Sequence, residues 1–164
     1  MNKTTTAKTS LIAMTFFGLL IIQLNVFGQS ENKSIDTAWS LLKDQFLRRS
    51  NLAIQLSGNV RKNKNFDTLL SIKLENAASN LASLLQIHYK LDSNLIIGIH
   101  GLNDSLTSLI QKGLMIFENE NSFTSEEENM DYLMQLEGNE NRIHVCVHDF
   151  NKTCENLRRL DLCF

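Results

Sequence analysis

The chain has 164 residues, 43% hydrophobic and 21% charged, too apolar for a disordered protein and the right length for one domain with or without a targeting segment. It has no proline and only 7% aromatics, which disfavours the turn-rich β-sandwich and barrel classes. The net charge is −2 without a dense Lys/Arg patch, so nucleic acid is not the expected partner, and three cysteines are too few for a disulfide scaffold.

Lys3 and Lys8 precede an uncharged run from Leu11 to Ile22, followed by Gln23, Asn25 and Val26-Phe27-Gly28. Val26 and Gly28 suit the small-residue positions before a signal-peptidase cut. A membrane span needs about 20 apolar residues, so the run is short for one, although Gln23 and Asn25 could sit at the interface. Residues 1–28 therefore read as a signal peptide or an uncleaved membrane anchor, and 29–164 as the exported domain, with net charge −4 (14 basic, 18 acidic).

From about Ser34 to Val60, Ile35, Trp39, Leu42, Phe46, Arg49, Ala53, Leu56 and Val60 recur with gaps of four and three, the seam of a helix packed lengthwise on others. Arg61 to Asn65 read as a connection. A second seam runs through Leu70, Leu74, Ala77, Leu81, Leu84, His88 and Leu91. Asp92-Ser93-Asn94 interrupts it, either as a turn or as a weak point in one long helix, with Gly98 and Gly101 beyond. The pattern resumes at Leu102, Leu106, Leu109 and Ile110 and reaches Phe117, and Glu118 to Ser122 read as a loop. Thr124-Ser125-Glu126-Glu127 forms a capping box for the last helix. Its seam is Leu133, Leu136, Glu140, Ile143, Val147, Phe150, Cys154 and Leu157, with Gly138 costing about 1 kcal/mol relative to alanine. The expected fold is all-α, an antiparallel up-and-down bundle of about four long helices after an N-terminal export or anchor segment.

Two seam positions are charged, Arg49 and Glu140. If the first and last helices are neighbours, the two can share an interior layer, and pairing would fix register. The alternative is that both snorkel to water. His144 and His148, four apart with Glu137 and Glu140 nearby, could grip a metal from one helix face, but no other segment offers a third ligand, so neither metal nor cofactor is expected. Cys146 and Cys154 are eight apart, about 12 Å along a helix, too far for a disulfide. Cys163 reaches Cys154 only if the helix ends near Arg159. No phosphate loop, zinc-protease or serine-hydrolase motif is present, so no enzyme activity is expected. Asn32, Asn103 and Asn151 head N-x-S/T triplets, which matter only in a eukaryotic secretory pathway.

The stretch Gln135-Leu136-Glu137-Gly138-Asn139-Glu140-Asn141-Arg142-Ile143, with Phe150-Asn151 further on, resembles the bacterial LemA family. Trp39 followed by Arg48-Arg49-Ser50-Asn51-Leu52-Ala53-Ile54-Gln55-Leu56 looks like that family's first helix more loosely. The chain departs from the family pattern at Asn51, where the family has Asp, near Ile54, where it has Pro, and at Asn121-Ser122-Phe123, where it has Tyr-Pro. The resemblance implies a helical bundle tethered to, or exported across, the bacterial inner membrane. The leading expectation is thus a non-catalytic envelope scaffold with unknown envelope partners, held by the membrane if the N-terminal segment is uncleaved. The alternatives are a secreted, cytokine-like helical-bundle signalling protein and, more weakly, a metal-handling bundle using His144 and His148.

Overall fold

The computed structural model describes residues 33–59, 61, 68–87, 91–118 and 127–164, with residues 116–118 and 127–129 described in backbone alone. By internal contacts the chain divides into Met1–Thr37 and Ala38–Phe164. Of the first unit, residues 33–37 are helical, and the Thr37 hydroxyl donates to the Lys33 carbonyl at 2.7 Å. The second unit is an all-α four-helix bundle with no strand among its described residues.

Its helices are α1 (residues 33–59, of which 38–59 belong to this unit), α2 (Thr68–Ile87), α3 (Ser93–Glu118) and α4 (Glu127–Asn156), with a single 3-10 turn at Leu160–Leu162. Each helix buries one apolar stripe: Leu42, Phe46, Ala53 and Leu56 on α1, and Leu70, Leu74, Ala78, Leu81 and Leu85 on α2. On α3 the stripe is Leu95, Ile96, Ile99, Leu106 and Ile110, and on α4 it is Tyr132, Leu136, Ile143, Phe150 and Cys154. The spacing of these residues keeps them on the core side of a 3.6-residue helix, and burying them out of water is what holds the bundle together.

The helix directions follow from side-chain neighbours. Gln45 bonds to Asn139 and Arg142, Leu52 to Tyr132, and Trp39 packs on Phe150 with ring centroids 5.9 Å apart, so α1 and α4 are antiparallel. Leu84 closes on Gly98 and Leu74 on Gly113, so α2 and α3 are antiparallel. Arg49 reaches Asn103 and Thr107 while Leu56 reaches Gly113, so α1 and α3 are parallel. The order is therefore up-down-up-down.

Asp92 is a true helix start. Its carboxylate accepts from the Leu95 backbone N–H at 2.9 Å, an N-cap that ends the ambiguity over residues 92–94 and places Gly98 and Gly101 inside α3. The last helix closes with Arg158 at φ 54°, Arg158 N–H to the Glu155 carbonyl (3.0 Å) and Arg159 N–H to the Cys154 carbonyl (2.7 Å). Those two bonds are a Schellman closure, made here with arginine where glycine is usual. The chain then doubles back, and Phe164 packs on Phe46 and Phe150 at centroid distances of 5.8 and 5.9 Å.

The proposed targeting segment, Val60, His88, the Phe117 side chain and the Thr124–Glu126 part of the capping box lie outside the described residues. The fold reading is corrected in its membrane part: among the described residues no helix is long and apolar enough to cross a membrane.

Candidate functional site

The chemistry of the bundle concentrates between α1 and α4. Arg49 stands in the α1 stripe where the spacing calls for an apolar residue, and it is 2% exposed. Its Nε lies 2.7 Å from Oε1 of Glu140 on α4. The N–H is not directed along that line, so the contact is an ion pair rather than a straight hydrogen bond, with both atoms sealed from solvent. The other guanidinium nitrogens donate to Asn103 Oδ1 and, at 2.8 Å, to Thr107 Oγ1 on α3, and the Thr107 hydroxyl donates to the Asn103 carbonyl. Burial pulls the guanidinium below the ordinary arginine range, and the charges of Glu140 and Asp104 push it back up. It stays a cation, because arginine does not lose its proton in proteins.

Glu140 is not a core residue. Its side chain is 32% exposed, and the residue that enters the core beside it is Asn139, with no exposure. The α4 seam is displaced here by one residue, through Tyr132, Leu136, Asn139 and Ile143 rather than Leu133, Leu136, Glu140 and Ile143. Asn139 Nδ2 donates to both the backbone carbonyl and the side-chain oxygen of Gln45 at 3.2 Å. Arg142 Nε donates to the same Gln45 oxygen at 3.2 Å. Two turns earlier on α4, the buried Tyr132 hydroxyl donates to the Leu52 carbonyl at 2.6 Å. These bonds cross from helix to helix, so they fix which faces meet and in what register.

Over this polar layer lies an open groove of about 360 Å³ lined by Arg48, Asp131, Met134, Gln135, Gly138 and Arg142. Gly138 forms part of its floor, and the Arg142 guanidinium folds back over it, 3.6 Å from where a Cβ would stand. Met134 is 59% exposed and Met130, one turn earlier, 46%. Arg142 and Met134 are thus both anchored on a helix and open to solvent.

The structure brings Arg49 and Glu140 together; sequence reasoning missed Asn103, Thr107, Gln45 and Asn139. His144 and His148 are exposed, and no group of three metal-ligating side chains converges among the described residues. Asn103 gives its amide oxygen to Arg49, and Asn151 uses both of its amide atoms on Phe164. The envelope reading is corrected as well. Its anchor lies outside the described residues, and no described helix is long and apolar enough to hold the chain in an inner membrane or to make the membrane its partner. No family model and no curated protein matches the chain.

Proposed function

We propose that the chain is a signalling protein of the helical-bundle kind, which acts by docking its α1–α4 groove on another protein. This replaces the membrane-scaffold reading with the alternative set beside it. The carrying observation is the groove itself, with Arg48 and Arg142 flanking the exposed Met134 and Asp131 at the side. Arginine and methionine are enriched at protein interfaces and charged residues of mixed sign set orientation on a partner. The groove also stands on a layer of helix-to-helix hydrogen bonds that holds Arg142 through Gln45, so less ordering is left to be done on binding. The proposal rests on this surface and not on membership of the long-chain cytokines, whose two long crossover connections the up-down-up-down order does not share. It involves no chemical step.

A photo-crosslinking amino acid at Met134 of the full chain, in extracts and culture medium of its source, tests the reading. The expected result is one discrete adduct that disappears with Arg142→Glu and persists with Ile97→Asp, a change on an exposed position of α3. Adducts that do not depend on Arg142, or none at Met134, would overturn it.

A further inference from the structure

All three cysteines are free thiols. Cys154 lies on α4 with no exposure, and Cys163 is half-buried in the terminal segment. Nine residues apart on a continuing helix they would be about 13 Å apart, beyond the reach of a disulfide. The helix does not continue. It ends at Asn156, the Arg158 backbone turns left-handed, and the Arg159 N–H returns to the Cys154 carbonyl at 2.7 Å. The Leu160–Leu162 turn then carries the chain back along α4, with Leu162 N–H bonded to the Arg159 carbonyl at 3.0 Å.

The end of the segment is held through both backbone polar groups of Phe164. Phe164 N–H donates to Asn151 Oδ1 at 2.8 Å, and Asn151 Nδ2 donates to the Phe164 carbonyl at 3.3 Å. Asn151 is one turn before Cys154 on the same face of α4. The Cα of Cys163, one residue before Phe164, therefore lies within roughly 5 Å of the Asn151 amide oxygen, by standard backbone lengths. The turn and the Asn151 clamp thus bring Cys163 back along the face of α4 that carries Cys154, and the Cys163 thiol adds to burial in pushing the Cys154 thiol up.

We propose that Cys154 and Cys163 are an oxidisable pair, and that their disulfide closes the C-terminal segment onto α4. The co-reactant is a small-molecule disulfide such as oxidised glutathione. The half-exposed Cys163 thiolate attacks it first, forming a mixed disulfide and releasing one glutathione thiol. Cys154 then loses its proton to solvent and attacks the Cys163 sulfur, expelling the second glutathione. The two protein thiols are oxidised, the small disulfide is reduced to two thiols, and no other reagent is consumed. Closure pins Phe164 against Phe46 and Phe150, where α1, α4 and the chain end meet. Cys146 stands apart from this pair, eight residues up α4 from Cys154.

Incubating the full chain with oxidised glutathione, followed by alkylation and tryptic mass spectrometry, tests this. Trypsin cuts after Lys152, Arg158 and Arg159, so closure links the peptide of residues 153–158 to that of residues 160–164, with a loss of two hydrogens. Cys146→Ser leaves the linked pair unchanged, and Cys163→Ser abolishes it. On the closed chain, carboxypeptidase release of Phe164 is slowed, and reduction restores it. A persistent glutathione adduct at Cys163 without linkage, or linkage through Cys146, would overturn the proposal, and neither result bears on the docking groove.

Discussion

Replacing Glu140 by glutamine separates two accounts of the Arg49 layer. The pattern of seam charges alone predicts a symmetric outcome, with either truncation costing about 3–5 kcal/mol because a charge is left alone in the core. The geometry predicts asymmetry. Arg49 is 2% exposed and cannot turn to water, whereas the Glu140 side chain is 32% exposed and can. Glu140→Gln leaves a buried cation held only by Asn103 and Thr107, and should cost about 2–3 kcal/mol, below the fully buried range because those two acceptors remain and the lost carboxylate was partly hydrated. Arg49→Met removes the charge and roughly keeps the volume. Thr107 retains its bond to the Asn103 carbonyl, and Glu140 swings to solvent, so the loss should stay below about 1.5 kcal/mol. Adding Glu140→Gln to Arg49→Met should cost almost nothing further, giving a coupling of about 2 kcal/mol. Equilibrium urea unfolding of the four proteins measures all of this, provided the m-values stay constant. Equal losses for the two single variants, or strict additivity in the double, would refute the argument that one partner is locked in and the other has a way out.

The remaining predictions concern two glycines and alkaline pH. A Cβ at Gly138 meets only the guanidinium of Arg142, at 3.6 Å in ordinary van der Waals contact, so Gly138→Ala should stabilise by about 0.5–1 kcal/mol in the same unfolding assay. At Gly113 a Cβ would stand 3.3 Å from the Cδ2 of Leu56, which has no exposure and nowhere to go, so Gly113→Ala should lower the midpoint. Burial, helped by the neighbouring Cys163 thiol, pushes Cys154 up to about 11, and burial also raises the Tyr132 phenol. Both groups keep their protons in the folded chain after the unfolded chain has released them, so stability is full below about pH 8.5 and falls as pH rises through the native value of Cys154. Thermal melts from pH 8 to 11 should show this fall, shallower in Tyr132→Phe; a flat profile would show that neither thiol nor phenol is held in its neutral form by the fold.

The legible part of this molecule is the part that a single helix determines. Every seam residue of α1 with a described side chain is buried or half-buried, because the first helix carries its apolar residues and its one interior cation on a single unbroken stripe. The α2–α3 break was ambiguous from spacing alone, and it was settled by a local bond, Asp92 to the Leu95 N–H. What could not be read is what depends on a second helix. Asn139 looks like any surface amide until Gln45 arrives from α1 to satisfy its nitrogen, and Glu140 looks like the core residue because it continues the three-four spacing through Leu133. Shifting the buried stripe by one residue moves it about 100° around a helix, which is enough to exchange a core position for a rim position. Asn103 and Thr107 are hidden from the sequence for the same reason, since α3 presents them to an arginine on α1. The consequence for function is direct. On α4 the two sets flank the buried Asn139, with Glu140 and its ion pair to one side and Arg142, one turn beyond Asn139, to the other, where Gln45 holds it at the groove. Gln45 and Asn139, which help hold α1 and α4 in register, therefore also support the groove proposed for docking, and a change in either should be felt in the other.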